Sequence, residues 1–473
     1  MFARIQGFVA QLVCAVSALV LIPAPPVGAQ WALEYVGTLP AALRPGAPVG
    51  GPAVEFGAAV ALDRDVLVVG APLEDSTGLS NSGAVYVYER VGGAWTLDQK
   101  LRAPTEINGE QFGYSVGVAL GGEGLDYIVV GAPLSPGGGE VYVFRRLSGG
   151  AWEHETSLLH LDAENGDRFG EGVAIDYFVP PNGLSGTPAG FFIAVGAPQD
   201  NDPGASGGNE GSVSVYQRTG GPPSWGPPIK FIGDEASARL GLSLAMDGPF
   251  IVAGGDGYDA DMGFNEGGGE SFTQANQVGA AFNYVEGFHL RVETPLDTNG
   301  LGSAAAIRYD QAPDAIVAAL GSPLDDLGGF DVGRVFVYDL DPEGQVPENT
   351  LTEVAIVQAP GLPAQARFGT SIAMWSDVMM VGAPGIQPDG AVYVFEMGGG
   401  VASFWNFRGV LLPPSPPVDC VSGQAVAVQW PRAGAGCFSL GLEEDAVFVH
   451  EIAFLFFDGF ESGDAMAWSA TSP

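Results

Sequence analysis

Basic residues are scarce in this chain: 18 Lys and Arg stand against 55 Asp and Glu over 473 residues, a formal charge of −37. So negative a surface repels nucleic acid and anionic lipid, which excludes a nucleic-acid function. Histidine is rare as well. His154, His160, His289 and His450 show neither H-x-x-x-H nor H-E-x-x-H spacing, so the sequence gives no support to zinc catalysis. Beyond the N-terminus no apolar run is long enough to span a bilayer, and no membrane insertion is expected.

Residues 1–29 have one basic residue, Arg4, an apolar stretch from Phe8 to Ile22 and a Pro-rich end closing on Val27-Gly28-Ala29. The stretch is short for a membrane span, and small residues at 27 and 29 suit cleavage, so these residues read as a secretory signal peptide and the rest as exported, to the outside, the cell surface or the periplasm. Of three cysteines, Cys14 falls in that leader; Cys420 and Cys437 remain as an even pair. In an exported chain they are expected to form a disulfide closing a loop of about 17 residues, worth about 3 kcal/mol. Two buried free thiols are the alternative, because spacing does not give geometry.

What the chain has in abundance is punctuation. It holds 72 Gly and 36 Pro, yet 46% of it is hydrophobic, so these residues separate apolar strands rather than mark disorder. Landmarks recur in a fixed order: an aromatic or Leu followed by Gly, an apolar run ending in Gly-Ala-Pro, then Gly leading an alternating strand. Phe56-Gly57, Gly70-Ala71-Pro72 and GAVYVYER (83–90) make the first unit; Phe112-Gly113, Gly131-Ala132-Pro133 and GEVYVFRR (139–146) the second. Phe169-Gly170, Gly196-Ala197-Pro198 and GSVSVYQR (211–218) make the third, and Leu240-Gly241, Ala253-Gly254-Gly255 and GAAFNYVE (279–286) a degenerate fourth. Leu301-Gly302, Gly321-Ser322-Pro323 and GRVFVYDL (333–340) follow, then Phe368-Gly369, Gly382-Ala383-Pro384 and GAVYVFEM (390–397). An eroded seventh keeps SGQAVAV (422–428) in the first-strand place and DAVFVHEI (445–452) in the third.

Period-two alternation makes each of these a strand, and a Trp-led fourth strand follows at Trp95, Trp152, Trp225 and Trp405. Four-stranded units repeated at this period predict an all-β fold, a seven-bladed β-propeller of four-stranded antiparallel blades over residues 30–455. The segment WALEYVGTLPA (31–41) matches a fourth strand with nothing before it, and the last unit lacks one. The N-terminal strand is therefore expected to close the last blade. The tail, residues 456–473, is similar to a short terminal segment of many secreted bacterial proteins and reads as a sorting motif or a frayed end.

Phe-Gly followed by Gly-Ala-Pro, unit after unit, resembles the FG-GAP repeats of the integrin alpha-chain head and, more closely, secreted bacterial FG-GAP proteins. The resemblance implies a propeller that binds an extracellular protein or glycan through loops on one face, as a monomer. It implies calcium loops between first and second strands, but those hairpins are poor in acid here: Asp63-Arg64-Asp65, Asp247-Gly248 and Asp377, with Asp310 and Asp314 as an eroded remnant. Acidic residues gather instead between second and third strands. Asp75, Asp200, Asp202, Asp325, Asp326 and Asp331 are the expected ligand-binding residues, and Asp256, Asp259 and Asp261 the best cation ligands, with calcium as the ion, although the closing bidentate Glu is missing. Solvated loops of a very acidic protein are the other reading of the same residues.

No catalytic residue is expected. Gly113-Tyr114-Ser115-Val116-Gly117 matches a nucleophile elbow, but Ser115 lies in a strand, and Ser243 and Ser371 hold the same offset in other units, so the serine belongs to the repeat. The sequence thus favours a non-catalytic binding or adhesion module. An exported metal-dependent hydrolase or oxidoreductase using the acidic face, and a structural envelope component, stay open.

Overall fold

The computed structural model describes residues 32–39 and 54–453, apart from 122–124, 179–189, 202–207, 219–224, 234, 258–267, 279–280, 293–299, 311–314, 328, 341–349, 399–401, 403, 413–420, 430–431 and 439–444. The proposed leader, the C-terminal tail, Asp202, Asp259, Asp261, Asp314 and Cys420 lie outside the described residues; Cys437 lies in the strand Arg432–Phe438, opposite Ser422. Among the described residues no helix is long and apolar enough to cross a membrane.

Apart from the fourth, each unit folds into an antiparallel sheet. In the first, Val60–Asp63, Val66–Ala71, Ala84–Val91 and Ala94–Leu101 pair in chain order, and the second repeats this with Ser115–Leu120, Asp126–Ala132, Glu140–Arg146 and Trp152–Leu159. The second strand of a unit is buried along nearly all of its length, and throughout in Val66–Ala71 and Val378–Ala383, because it has sheet on both sides and other sheets on both faces. Hydrophobic clusters lie between consecutive sheets. Val85 and Val87 of the first meet Val116, Val118, Ile128 and Val130 of the second, while Phe56, Val69 and Tyr88 of the first meet Val447 and Val449 of the last.

The landmark residues set the distance between sheets. A Cβ at Gly131 would stand 2.0 Å from the carbonyl oxygen of Gly170, and one at Gly70 equally close to that of Gly113, so the glycine of Gly-Ala-Pro lets the next unit's Phe-Gly turn pass directly over it. Gly436 abuts Gly57 in the same way, joining last unit to first. The glycine of Phe-Gly is left-handed, with φ 93° at Gly113 and Gly170. The phenylalanine before it is fully buried and meets a third-strand tyrosine edge-on, at 5.3 Å for Phe56–Tyr86 and 5.6 Å for Phe368–Tyr393. The repeat serines have a structural duty: Ser115, Ser243 and Ser371 each donate a hydrogen bond of 2.7–2.9 Å across to the next unit, to the carbonyls of Gly170, Gly302 and Gly423.

Ala32–Leu39 pairs antiparallel with Ala446–Ala453, so the N-terminal strand completes the sheet begun by Val421–Gln429 and Arg432–Phe438, as its sequence suggests. The described residues thus form a β-propeller of small antiparallel blades, six of them four-stranded. The expected seventh four-stranded antiparallel blade is not formed. In the fourth unit, Phe250–Gly255 pairs not with GAAFNYVE but with Gly268–Val278, which pushes Ala281–Arg291 into fourth place; Thr350–Thr352, reaching back from the fifth unit, adds a fifth strand in parallel. The turn signal for this pairing is the glycine run 267–269, like Gly137 to Gly139 before the third strand of the second unit.

Candidate functional site

The loops between second and third strands emerge on the face that also carries the connections from one unit to the next, and the described acidic residues expected to bind ligand, Asp75, Asp200, Asp325, Asp326 and Asp331, lie there. Their geometry engages the described ones with partners inside the chain. The residue four after the Gly-Ala-Pro glycine is Glu74 in the first unit, Asp200 in the third and Asp325 in the fifth, and all three are buried. Asp325 forms a two-point pair with Arg334, Oδ1 to Nε at 2.7 Å and Oδ2 to the terminal nitrogen at 2.5 Å, with both side chains shielded from solvent. Glu74 accepts the Tyr86 hydroxyl at 2.5 Å and pairs with Lys100 and Arg102. A carboxylate buried with its own cation fastens a loop and offers no free charge to a ligand.

The next residue along is Asp75, Asn201 or Asp326, and it forms a turn. Asp75 accepts the backbone N–H of Asn81 at 2.8 Å, Asn201 that of Asn209, and Asp326 that of Asp331 at 2.8 Å. Each donor is left-handed, with φ of 51°, 58° and 50°. An amide serves in the third unit where a carboxylate serves in the others, so the acceptor oxygen is what the turn needs. Asp331 is the turn residue itself. Asp256 is held by both oxygens to Arg239, at 2.8 and 3.0 Å, which engages the described member of the expected calcium triad. On the opposite face, Asp63, Asp176 and Asp247 accept backbone N–H groups of the neighbouring units at Leu120, Gly248 and Tyr309. Those hairpin acids are stitches between units.

The third unit departs from this plan. Its third strand reads GSVSVYQR, and register places Ser214 where the first, second and sixth units have Tyr86, Tyr142 and Tyr393 and the fifth has Phe336. His160, on the connection from the second unit, fills the space: its ring centroid lies 5.3 Å from that of Phe169, and its Nε2 sits 3.2 Å from Asp200 and 3.4 Å from the Ser212 hydroxyl. Lys230 bridges Asp162 and Asp200 at 2.6 Å to each. Burial alone would raise the Asp200 carboxyl, but hydrogen bonds from His160, Lys230 and Ser212 bring it down to about 2. Asp167, also buried, is pushed above its ordinary value by desolvation, against the hydrogen bond it accepts from the Glu164 N–H at 2.6 Å. Sequence reasoning missed this cluster, for which the signal was the serine in a tyrosine's place.

Exposed apolar residues collect in one of these loops. Leu324, Leu327 and Phe330 of the fifth unit are 37%, 41% and 62% exposed, within a loop held at its base by Asp325–Arg334 and at its tip by the Asp326 turn. The Phe330 carbonyl accepts the N–H of Gln365 at 2.7 Å, and that of Asp331 the N–H of Arg367 at 3.0 Å, tying the loop to the connection entering the sixth unit.

Closely packed antiparallel blades, glycine contacts between them and loops gathered on one face define a β-propeller repeat protein. The FG-GAP repeat family model matches residues 47–88 and 351–395, and together with the propeller of blades these matches support an FG-GAP β-propeller protein. No curated protein matches it.

Proposed function

We propose that this protein is a secreted, non-catalytic binding module that recognises an extracellular protein or glycan through the loop face of the propeller, with the five-stranded fourth sheet taking the place of a seventh blade. What supports the reading is the fifth-unit loop. Its shape is fixed by a buried charge pair and turn hydrogen bonds, and it still presents two leucines and a phenylalanine to solvent. A rigid, exposed aromatic loop loses little entropy on binding, and buried aromatics dominate contact energies. The chain's charge of −37 selects a partner whose apolar patch is rimmed with basic groups. In this reading the protein acts as a monomer, its leader is removed on export, and the acidic loop residues shape the face rather than hold calcium.

The test is binding of the labelled chain to envelope fractions, polysaccharides and matrix proteins, with calcium and with chelator. Saturable binding that persists in chelator and weakens about tenfold or more in Phe330→Ser supports the reading. Absence of saturable binding, or binding indifferent to Phe330→Ser, contradicts it.

A further inference from the structure

We propose that the boundary of the fifth and sixth units on the loop face recognises a protein segment in which one carboxylate lies beside a large apolar side chain, with Arg367 receiving the carboxylate and Leu327 and Phe330 the apolar group. The inference rests on the binding reading above and names the chemistry of the partner.

Three arginines hold one position of the repeat. Arg168, Arg239 and Arg367 each precede a Phe-Gly or Leu-Gly landmark in left-handed backbone, with φ of 60°, 59° and 53°. The first two are neutralised inside the chain. Arg168 pairs with Glu171, three residues on, and Arg239 with both oxygens of Asp256, two residues after the landmark Gly254. In the sixth unit these two places hold Thr370 and Pro384. The Thr370 hydroxyl donates to the Arg367 carbonyl at 2.7 Å, and proline has no charge to offer. Arg367 is exposed and, among the described residues, its guanidinium has neither an ion pair nor a hydrogen bond. In a chain with 18 Lys and Arg against 55 Asp and Glu, such a group is conspicuously unused. Its planar fork matches a carboxylate through two parallel hydrogen bonds, which fixes the direction of approach.

The apolar half of the site adjoins it. Phe330-Asp331 runs beside Gln365 to Arg367, joined by the two backbone hydrogen bonds between them. Leu327 and Phe330 are exposed, as are Pro363 and Ala364 across the boundary, and a Cβ at Gly329 would lie 3.9 Å from that of Ala364. None of these side chains can form a hydrogen bond. Hydroxyls of a glycan covered by them would lose water without gaining partners, whereas an apolar peptide side chain loses nothing. An arginine beside an exposed aromatic is also the pairing that dominates protein contacts. Exposed Asp326 and half-buried Asp331 belong to the same loop, so the segment has one carboxylate and basic residues around it.

The test is selection of a random peptide library on the immobilised full chain, followed by affinity measurements on the selected peptides. Asp or Glu next to Leu, Ile, Phe or Trp is expected among them, and Arg367→Gln should weaken their binding about tenfold or more and flatten its salt dependence. Selection on Arg367→Glu should return Lys or Arg in place of the acid. Both variants should keep the wild-type melting temperature, because the side chain has no partner in the chain, and Arg168→Gln should leave affinity unchanged. Absence of enrichment, selected peptides without a carboxylate, equal affinity in Arg367→Gln, or tighter binding of polygalacturonate than of the peptides overturns the proposal. Saturable binding to the extracellular fractions that is weakened by Phe330→Ser but not by Arg367→Gln overturns it alone and leaves the binding reading standing; no saturable binding to any fraction removes both.

Discussion

The first and third units solve the same problem with different side chains. Both bury a carboxylate four residues after the Gly-Ala-Pro glycine, and both must neutralise it. The first does so with a tyrosine hydroxyl from its third strand and with Lys100 and Arg102 from its fourth strand and the segment after it. The third has Ser214 in the tyrosine's place and recruits His160 from the preceding connection, with Lys230 from its fourth strand. The backbone plan is therefore held by glycines and turn hydrogen bonds that both units share, while the means of burying charge is local. Where it changes, the Nδ1 of the recruited histidine is left without a hydrogen bond.

The shared part should break hardest and alike in both units. Gly70→Val and Gly196→Val place a Cβ about 2 Å from the next unit's carbonyl oxygen, and each is expected to cost about 4 kcal/mol or more in urea unfolding; a mild effect in either would show that sheet spacing is not set there. The charge solution of the third unit comes next. Asp200 has its carboxyl lowered from 3.8 to about 2, so it contributes stability that is complete above pH 4 and is lost as pH falls through 2. Asp200→Asn should cost roughly 2 kcal/mol at neutral pH, and the difference from wild type should shrink as pH falls toward 2. A pH-independent difference would refute the assignment.

Forcing the first unit's solution on the third tests whether His160 stands in for the tyrosine. Ser214→Tyr should overpack the pocket and cost about 1–3 kcal/mol by thermal or urea unfolding, and His160→Gly added to it should recover most of the loss. Additive costs would show that the two side chains do not share the space. The smallest effect is expected at the cross-unit serine. The first and third units have Ala59 and Gly172 where the second has Ser115, so Ser115→Ala should cost only about 1 kcal/mol, and more than about 3 would give the serine a role beyond the Gly170 hydrogen bond.

The strands, the glycine landmarks and the closing N-terminal strand were legible because each depends on local pattern: alternation, turn residues and a Trp-led segment out of place. The fourth unit was misread because two glycine-led apolar segments compete there for third place, and pairing with Phe250–Gly255 decides between them. The partners of the acidic loop residues were not legible for a different reason. A sequence shows charge but not its partner, and Arg334 lies nine residues from Asp325, Lys230 thirty from Asp200. Asn201 was the clue that one of the loop positions needs an oxygen rather than a charge. His160 went unnoticed because histidine pairs were sought, whereas its polar neighbours are carboxylates from a connection and a following loop.

The central claim is that adjacent acids on the loop face differ in kind, one a buried charge pin and the next a turn acceptor. Asp325→Asn and Asp326→Asn, unfolded side by side in urea at pH 7, test it most directly. The account gives a loss of about 3 kcal/mol or more for Asp325→Asn, which strands the buried Arg334 charge, and less than about 0.5 kcal/mol for Asp326→Asn, where the amide oxygen still accepts the Asp331 N–H. Equal losses, or a larger one at Asp326, would contradict it.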